Sequence, residues 1–168
     1  MPQVNIANIK TQIKSILDTA NTTTGSPINL SLSMNKAVQR VMKIHPARIP
    51  IQASLYPYVT IFLEDKELAQ LTVGIGGSQT NALRVSELNL SIVGACFEPF
   101  FSDFDEDQGS ENSELLMENI EEILRANPTL NSTVSWAIPS AVTYDEVQFS
   151  EDVHLRAGLM TLKCKVHY

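Results

Sequence analysis

The chain has 168 residues, 43% apolar and 18% charged, an ordinary globular composition that excludes wholesale disorder and fits one domain with a sizeable core. Its 19 acids outnumber its 12 bases for a net charge of −7, so no basic stripe exists on which nucleic-acid binding could stand. No apolar run approaches the ~20 residues of a membrane helix, and Met-Pro-Gln-Val-Asn-Ile at the N-terminus lacks the basic-then-apolar order of a secretory signal.

The first segment has a helical period. Ile6, Ile9, Ile13, Ile16, Leu17 and Ala20 recur at steps of three and four, with Asn8, Lys10, Lys14 and Asp18 on the other face. The polar breakers Asn21-Thr-Thr-Thr-Gly-Ser-Pro27 end it and open a loop over residues 21–33. Residues 28–56 stay open to two readings: a short helix from near Ser33 through Val38, Val41 and Met42, or an extended Arg40 to His45. His45-Pro46 and Ile49-Pro50 bias their first members away from helix.

From Tyr58 the period becomes two. Tyr58-Val-Thr-Ile-Phe-Leu63 is β-branched and aromatic with apolar residues on both faces, which predicts an inner strand. Leu68 to Val73 reads as a second, shorter strand, and Gly74 to Asn81 as a flexible hairpin loop. Ala82 to Ala95 reads as a long strand with a phase change, because Leu83 and Val85 are odd while Leu88, Leu90 and Ile92 are even. A bulge near Ser86-Glu87 reconciles the two halves.

The acidic excess lies next. Between Glu98 and Glu114 stand seven acids (Glu98, Asp103, Asp105, Glu106, Asp107, Glu111, Glu114) and no Lys or Arg, and the remaining chain balances at 12 acids to 12 bases. An acidic loop over 97–112 on a balanced body repels phosphate backbones and attracts cations or a basic partner. A second amphipathic helix follows, Glu114 to Ala126, with Leu116, Ile120, Ile123 and Leu124 as its stripe and Met117 beside it. Ser110 or Ser113 caps it, the glutamates of its first turns and the late Arg125 suit its dipole, and Asn127-Pro128 stops it. Two strands close the chain, Thr133 to Ile138 resuming through Val142 and Tyr144, then Leu155 to Tyr168. In the second, Met160, Leu162, Cys164, Val166 and Tyr168 share one face, and Thr161, Lys163, Lys165 and His167 the other. The order predicts an α+β domain of two helices on one mainly antiparallel sheet, without an internal repeat.

Chemistry-bearing patterns are sparse. Gly74-Ile-Gly-Gly77 precedes a strand-like Leu83-Arg-Val-Ser and not a helix, so a hairpin tip is favoured over a phosphate cradle. Asp103, Asp105, Asp107 and Glu114 occupy positions 1, 3, 5 and 12 of a calcium loop, but Gln108 holds the place of its glycine at position 6 and no helix leads into it. A solvated anionic loop is favoured over a calcium site. Cys96 and Cys164 lie in apolar strands outside any ligand spacing, which reads as buried reduced thiols of a cytoplasmic product. His45, His154 and His167 share no motif. Trp136, Tyr56, Tyr58 and Tyr144 read as sheet packing in preference to an aromatic cage. No catalytic or cofactor-binding constellation emerges, which points to a structural or interaction protein and not an enzyme.

Several segments together carry a resemblance: Leu55-Tyr-Pro-Tyr-Val-Thr-Ile-Phe62, Leu83-Arg-Val-Ser-Glu-Leu-Asn-Leu-Ser-Ile-Val93, the helix running into Asn127-Pro-Thr-Leu-Asn-Ser-Thr-Val134, Val142-Thr-Tyr144, and Leu155-Arg-Ala-Gly-Leu-Met-Thr-Leu-Lys-Cys-Lys-Val166. In order and spacing the chain resembles the tail terminator (tail completion, head-to-tail joining) proteins of long-tailed bacteriophages, over about residues 55–168 and more loosely before. The resemblance implies a virion subunit, assembled in the host cytoplasm into a homohexameric ring. The ring caps the tail tube protein, stops its polymerisation, meets a neck or head-completion protein and lets genomic DNA pass, with no membrane partner, no cofactor and no catalytic residue.

That reading assigns interfaces. Ile75, Gly76, Gly77, Ser78 and Gln79 form a projection for tube docking, and Asp103, Asp105, Glu106 and Asp107 line the channel or face a basic neighbour. The C-terminal strand supplies an edge for a neighbouring subunit. The alternatives are another neck or connector adaptor, a tail-tube subunit, or a cytosolic calcium- or ligand-binding module.

Overall fold

A computed structural model describes residues 4–22, 38–70, 84–99, 108–150 and 153–167. Two helices, α1 (Ile6–Thr22) and α2 (Gln108–Arg125), pack on a five-stranded sheet of β1 (Arg40–Met42), β2 (Tyr58–Gln70), β3 (Arg84–Pro99), β4 (Trp136–Ser150) and β5 (Val153–His167). The sheet order is β1-β2-β3-β5-β4. All neighbours are antiparallel except the short β1, which runs parallel to β2. This is the α+β architecture that the alternating periods predict.

Rows of paired residues show how the core is made. On the helix side they read Val41–Val59–Gly94–Gly158–Tyr144, then Ile61–Ile92–Met160–Val142, then Leu63–Leu90–Leu162–Pro139. Ile9, Ile13 and Leu17 of α1 and Leu116, Met117, Ile120 and Leu124 of α2 lie fully buried against them. Gly94 and Gly158 face each other across β3 and β5, and a Cβ built on Gly94 would meet Leu116 Cδ2 at 2.8 Å and Met117 Sδ at 2.9 Å. These two glycines form the notch that lets α2 approach the sheet backbone.

Several expectations need correction. Tyr58 to Gln70 is one strand and not two: the charged run Glu64 to Glu67 stays extended because it pairs with β3 while its side chains reach solvent. The irregularity lies on β2, between Leu63 and Asp65, and not near Ser86-Glu87, because Val85 is buried on the opposite sheet face from Leu88 and needs no change of phase. α2 begins at Gln108, so Ser110 and Ser113 lie inside it and do not cap it, and Glu111 and Glu114 belong to the helix. β3 likewise runs through Pro99, so both ends of the expected acidic loop are regular structure.

Residues 28–56 resolve toward the extended reading where described. Arg40–Met42 is strand, followed by 3-10 turns at Pro46–Arg48 and Ala53–Leu55, and the Tyr56–Pro57 bond is cis. This segment covers a small second cluster on the other sheet face, Tyr56, Tyr58 and Ala95, flanked by Met42, Ile49, Leu55, Leu155 and Ala157. β4 starts at Trp136 and not at Thr133, because Leu130, Asn131 and Ser132 (φ 45°, 56° and 64°) make a left-handed turn first. That conformation costs roughly 1–2 kcal/mol per residue. It is held by a fully buried Leu130 and by Thr133 N–H and Val134 N–H donating to Thr129 O. No helix among the described residues is long and apolar enough to cross a membrane.

Candidate functional site

Among the described residues the sheet has two open stretches of edge, β2 beyond Thr60, where the three-residue β1 stops, and the whole outer side of the strand at the other end. β5, the expected edge, lies between β3 and β4, so the outer strand is the 15-residue β4. Pro139, with register shifts between Pro139 and Val142 and between Gln148 and Ser150, interrupts its ladder, the devices by which a sheet edge avoids indiscriminate pairing. Among the described residues two of the three exposed large apolar side chains sit on this strand, Ile138 at 51% and Tyr144 at 38% relative exposure.

The two sides of the β4–β5 hairpin differ in charge. On the helix side Arg156 of β5 is the centre. Its Nη1 donates to Glu146 Oε2 at 3.0 Å, its Nη2 lies 3.9 Å from Glu114 Oε1 of α2, and its guanidinium sits 5.9 Å from the Tyr144 ring centroid. Its buried Nε has no hydrogen-bond partner among the described residues. Beyond Arg156 the outer stripe of α2 carries Glu111, Glu114, Glu118 and Glu122, with the half-buried Leu115 beside them in a shallow cleft lined by Glu111, Glu114, Leu115 and Glu118. Burial first, and then the charges of Glu114 and Glu118, push the Tyr144 phenol above its ordinary range.

On the opposite side two rows read Asp65–Asn89–Lys163–Ile138 and Glu67–Glu87–Lys165–Trp136. Acid therefore lies over β2 and β3, with Asn89 Nδ2 donating to Asp65 Oδ1 at 2.8 Å, while base and apolar surface lie over β5 and the β4 edge. Ser135 Oγ and His167 Nδ1 lie 2.6 Å apart at the end of this face. Both are exposed, and no carboxylate bonds His167 among the described residues, so the pair lacks the orienting third group of a nucleophilic triad.

The expected site residues are distributed unevenly. Ile75 to Gln79 and Asp103, Asp105, Glu106 and Asp107 lie outside the described residues. Glu114 is exposed in the second turn of α2. The aromatic residues do not converge: Tyr56 and Tyr58 pair at 4.8 Å between ring centroids, Tyr144 faces the helices, and Trp136 faces the other side. Burial pushes both paired phenols upward, Tyr58 the more strongly. Cys96 and Cys164 are buried thiols outside any disulfide, and burial pushes the Cys164 thiol up to about 12, away from nucleophilic use. Lys163 and Lys165 point away from it, as the strand period predicts.

Sequence reasoning passed over Arg156, although period two places it on the buried face with Gly158 and Met160, where a lone cation requires partners. It also passed over Ile138, whose alternation with Ala137 and Pro139 puts it on the Lys face. Among the described residues no group of three or more His, Cys, Asp or Glu side chains is placed to hold a metal.

No family model and no curated protein matches the chain. A solved structure described as the virion of a native gene transfer agent (GTA) particle is similar, with 11% identity over 99% of this chain and 100% of that chain, at a TM-score of 0.39.

Proposed function

We propose that this chain is a structural virion subunit, a phage tail terminator that forms a hexameric ring. The ring caps the tail tube, ends its polymerisation and joins it to the neck, with DNA passing through the lumen. The observation that carries the reading is the open edge: a long outer strand, β4, bears exposed Ile138 on one side and exposed Tyr144 on the other. Such a subunit is completed by neighbours, and a repeated head-to-tail contact closes a ring. The helix, the Asn127-Pro-Thr-Leu-Asn segment and the two closing strands also stand in the order on which the resemblance to tail terminators rests.

In this reading residues 75–79 and 103–107 serve the contacts with tube, neck or lumen. Anionic side chains around a channel remove the counterion-release gain that would make DNA stick. Solution mass followed by negative-stain imaging tests the proposal. A closed ring of about six subunits is expected. A filament would identify a tail-tube subunit instead, and a monomer that neither caps tubes nor joins heads would defeat both.

A further inference from the structure

We infer that the Lys163–Lys165–Ile138 surface at the β4 edge is the docking site for the outer face of α2 on a second copy of this chain. The inference deepens the ring reading and rests on it. Lys163 and Lys165 lie on the sheet face away from the helices, and Ile138, 51% exposed, stands opposite Lys163 on the outer strand. Two cations and an exposed aliphatic side chain at one edge ask for an anionic partner with an apolar element. The outer stripe of α2 offers that combination: Glu118 and Glu122 are exposed, and half-buried Leu115 lies one turn earlier.

Spacing agrees with charge. Residues two apart on a strand stand about 6.7 Å apart, and residues four apart on a helix about 6 Å, so Lys163 and Lys165 match Glu118 and Glu122 in step. Within one chain the two surfaces are on opposite layers and cannot meet. The contact is therefore heterologous, each copy giving its α2 face to one neighbour and its Lys face to the other, which is the geometry of a ring. The acids Asp65, Glu67 and Glu87 on the Lys side offer a rival partner through face-to-face pairing of two copies, and the test separates the two.

Two charge-swapped full-length chains suffice. One carries Lys163→Glu and Lys165→Glu, the other Glu118→Lys and Glu122→Lys. All four positions are on the surface or half-buried, and circular dichroism verifies that each variant folds. Each alone meets like charge at every contact, so self-association measured by light scattering weakens at least about tenfold. Mixed one to one, the pair restores complementary charge at every contact and returns assembly to within about twofold of wild type, as rings of alternating copies. Salt weakens wild-type assembly in the same assay.

If wild type assembles and the Glu118/Glu122 variant assembles equally well alone, face-to-face pairing is the answer and the contact is wrong. A mixture that fails to assemble overturns it too, while leaving the ring reading standing. A wild-type chain that stays monomeric at about 100 μM sinks the contact and the ring together.

Discussion

The two faces of the sheet obey different rules. On the helix side, Ile61, Ile92, Leu90, Leu162 and Leu88 are all 0% exposed, and two amphipathic helices close over them. On the other side the turns between Pro46 and Leu55 cover the end around Tyr58 and Ala95, and Val93, Ser91 and Val85 are buried too, but between Ser91 and Val85 lies a chequer of Asp65, Asn89, Lys163, Ile138, Glu87 and Lys165. One face is built to be finished by its own chain. The other keeps a charge gradient and exposed apolar surface, features that serve recognition better than folding.

The largest break in that comparison comes from matched truncations. Leu88→Ala on the helix face should cost about 2–5 kcal/mol, because the close-packed site relaxes poorly around the lost methyls. Leu159→Ala, half-buried on the other face, should cost less than half of that. Urea melts of both variants read the ratio, and equal losses would show that the second face is as closed as the first. A step smaller is Gly158→Ala. Its Cβ would drive into Met117 Cγ and leave only 3.1 Å to Tyr144 Cε1, so α2 must lift or Met117 must turn, at about 1–3 kcal/mol. Adding Met117→Ala should return part of that loss, a coupling that a double-mutant cycle measures.

The same contrast decides what the sequence made legible. Period two over Met160, Leu162, Cys164 and Val166 and period 3.6 over Leu116, Ile120 and Leu124 place the helix-side core correctly, since one uniform environment leaves one uniform pattern. The second face defeats pattern reading because its environment changes along each strand. Val85 is buried and Glu87 exposed two residues later, so a change of cover looks like a change of phase. The start of α2 escapes the pattern because polar Gln108 to Ser113 carries no apolar stripe, yet Asn112 and Ser113 are buried. The left-handed turn is set by tertiary packing of Leu130, and only Asn131, which tolerates that conformation, hints at it locally. The surfaces now implicated, Arg156 with Glu114 and Lys163 with Ile138, are pairings across strands and layers that no local window contains.

Alkali tests the closed face more gently. The Cys164 thiol is held neutral by burial, with its pKa raised from 9.0 to about 12. Unfolded chains release that proton first, so the stabilisation is complete below pH 9 and is lost as pH rises from about 9 toward 12. Near pH 10 the loss should be about 1 kcal/mol from this group. The raised phenols of Tyr56 and Tyr58 add to it from above pH 10 by the same sign. Cys164→Ala should flatten the first part of the decline while leaving the tyrosine part, as urea midpoints at pH 7, 9.5 and 10.5 would reveal. An unchanged slope would mean that the thiol is solvated on the folded side.

The smallest effect is expected at Ile138, and its smallness is informative. With half of its surface already in water, Ile138→Ser forfeits little burial, and exposed positions away from special features change stability by no more than about 0.5 kcal/mol. The thermal midpoint of the dilute protein should therefore stay within about 2 °C of wild type. At high concentration the comparison reverses. If a neighbour covers this edge, Ile138→Ser weakens assembly well beyond its effect on folding, whereas Leu88→Ala weakens folding first and assembly only through it. A dilute-state loss above 1 kcal/mol would mean that the chain covers Ile138 itself, and the second face would then be a core and not a docking surface. An unchanged melt with an unchanged assembly constant would leave the edge apolar for no reason that folding or recognition supplies.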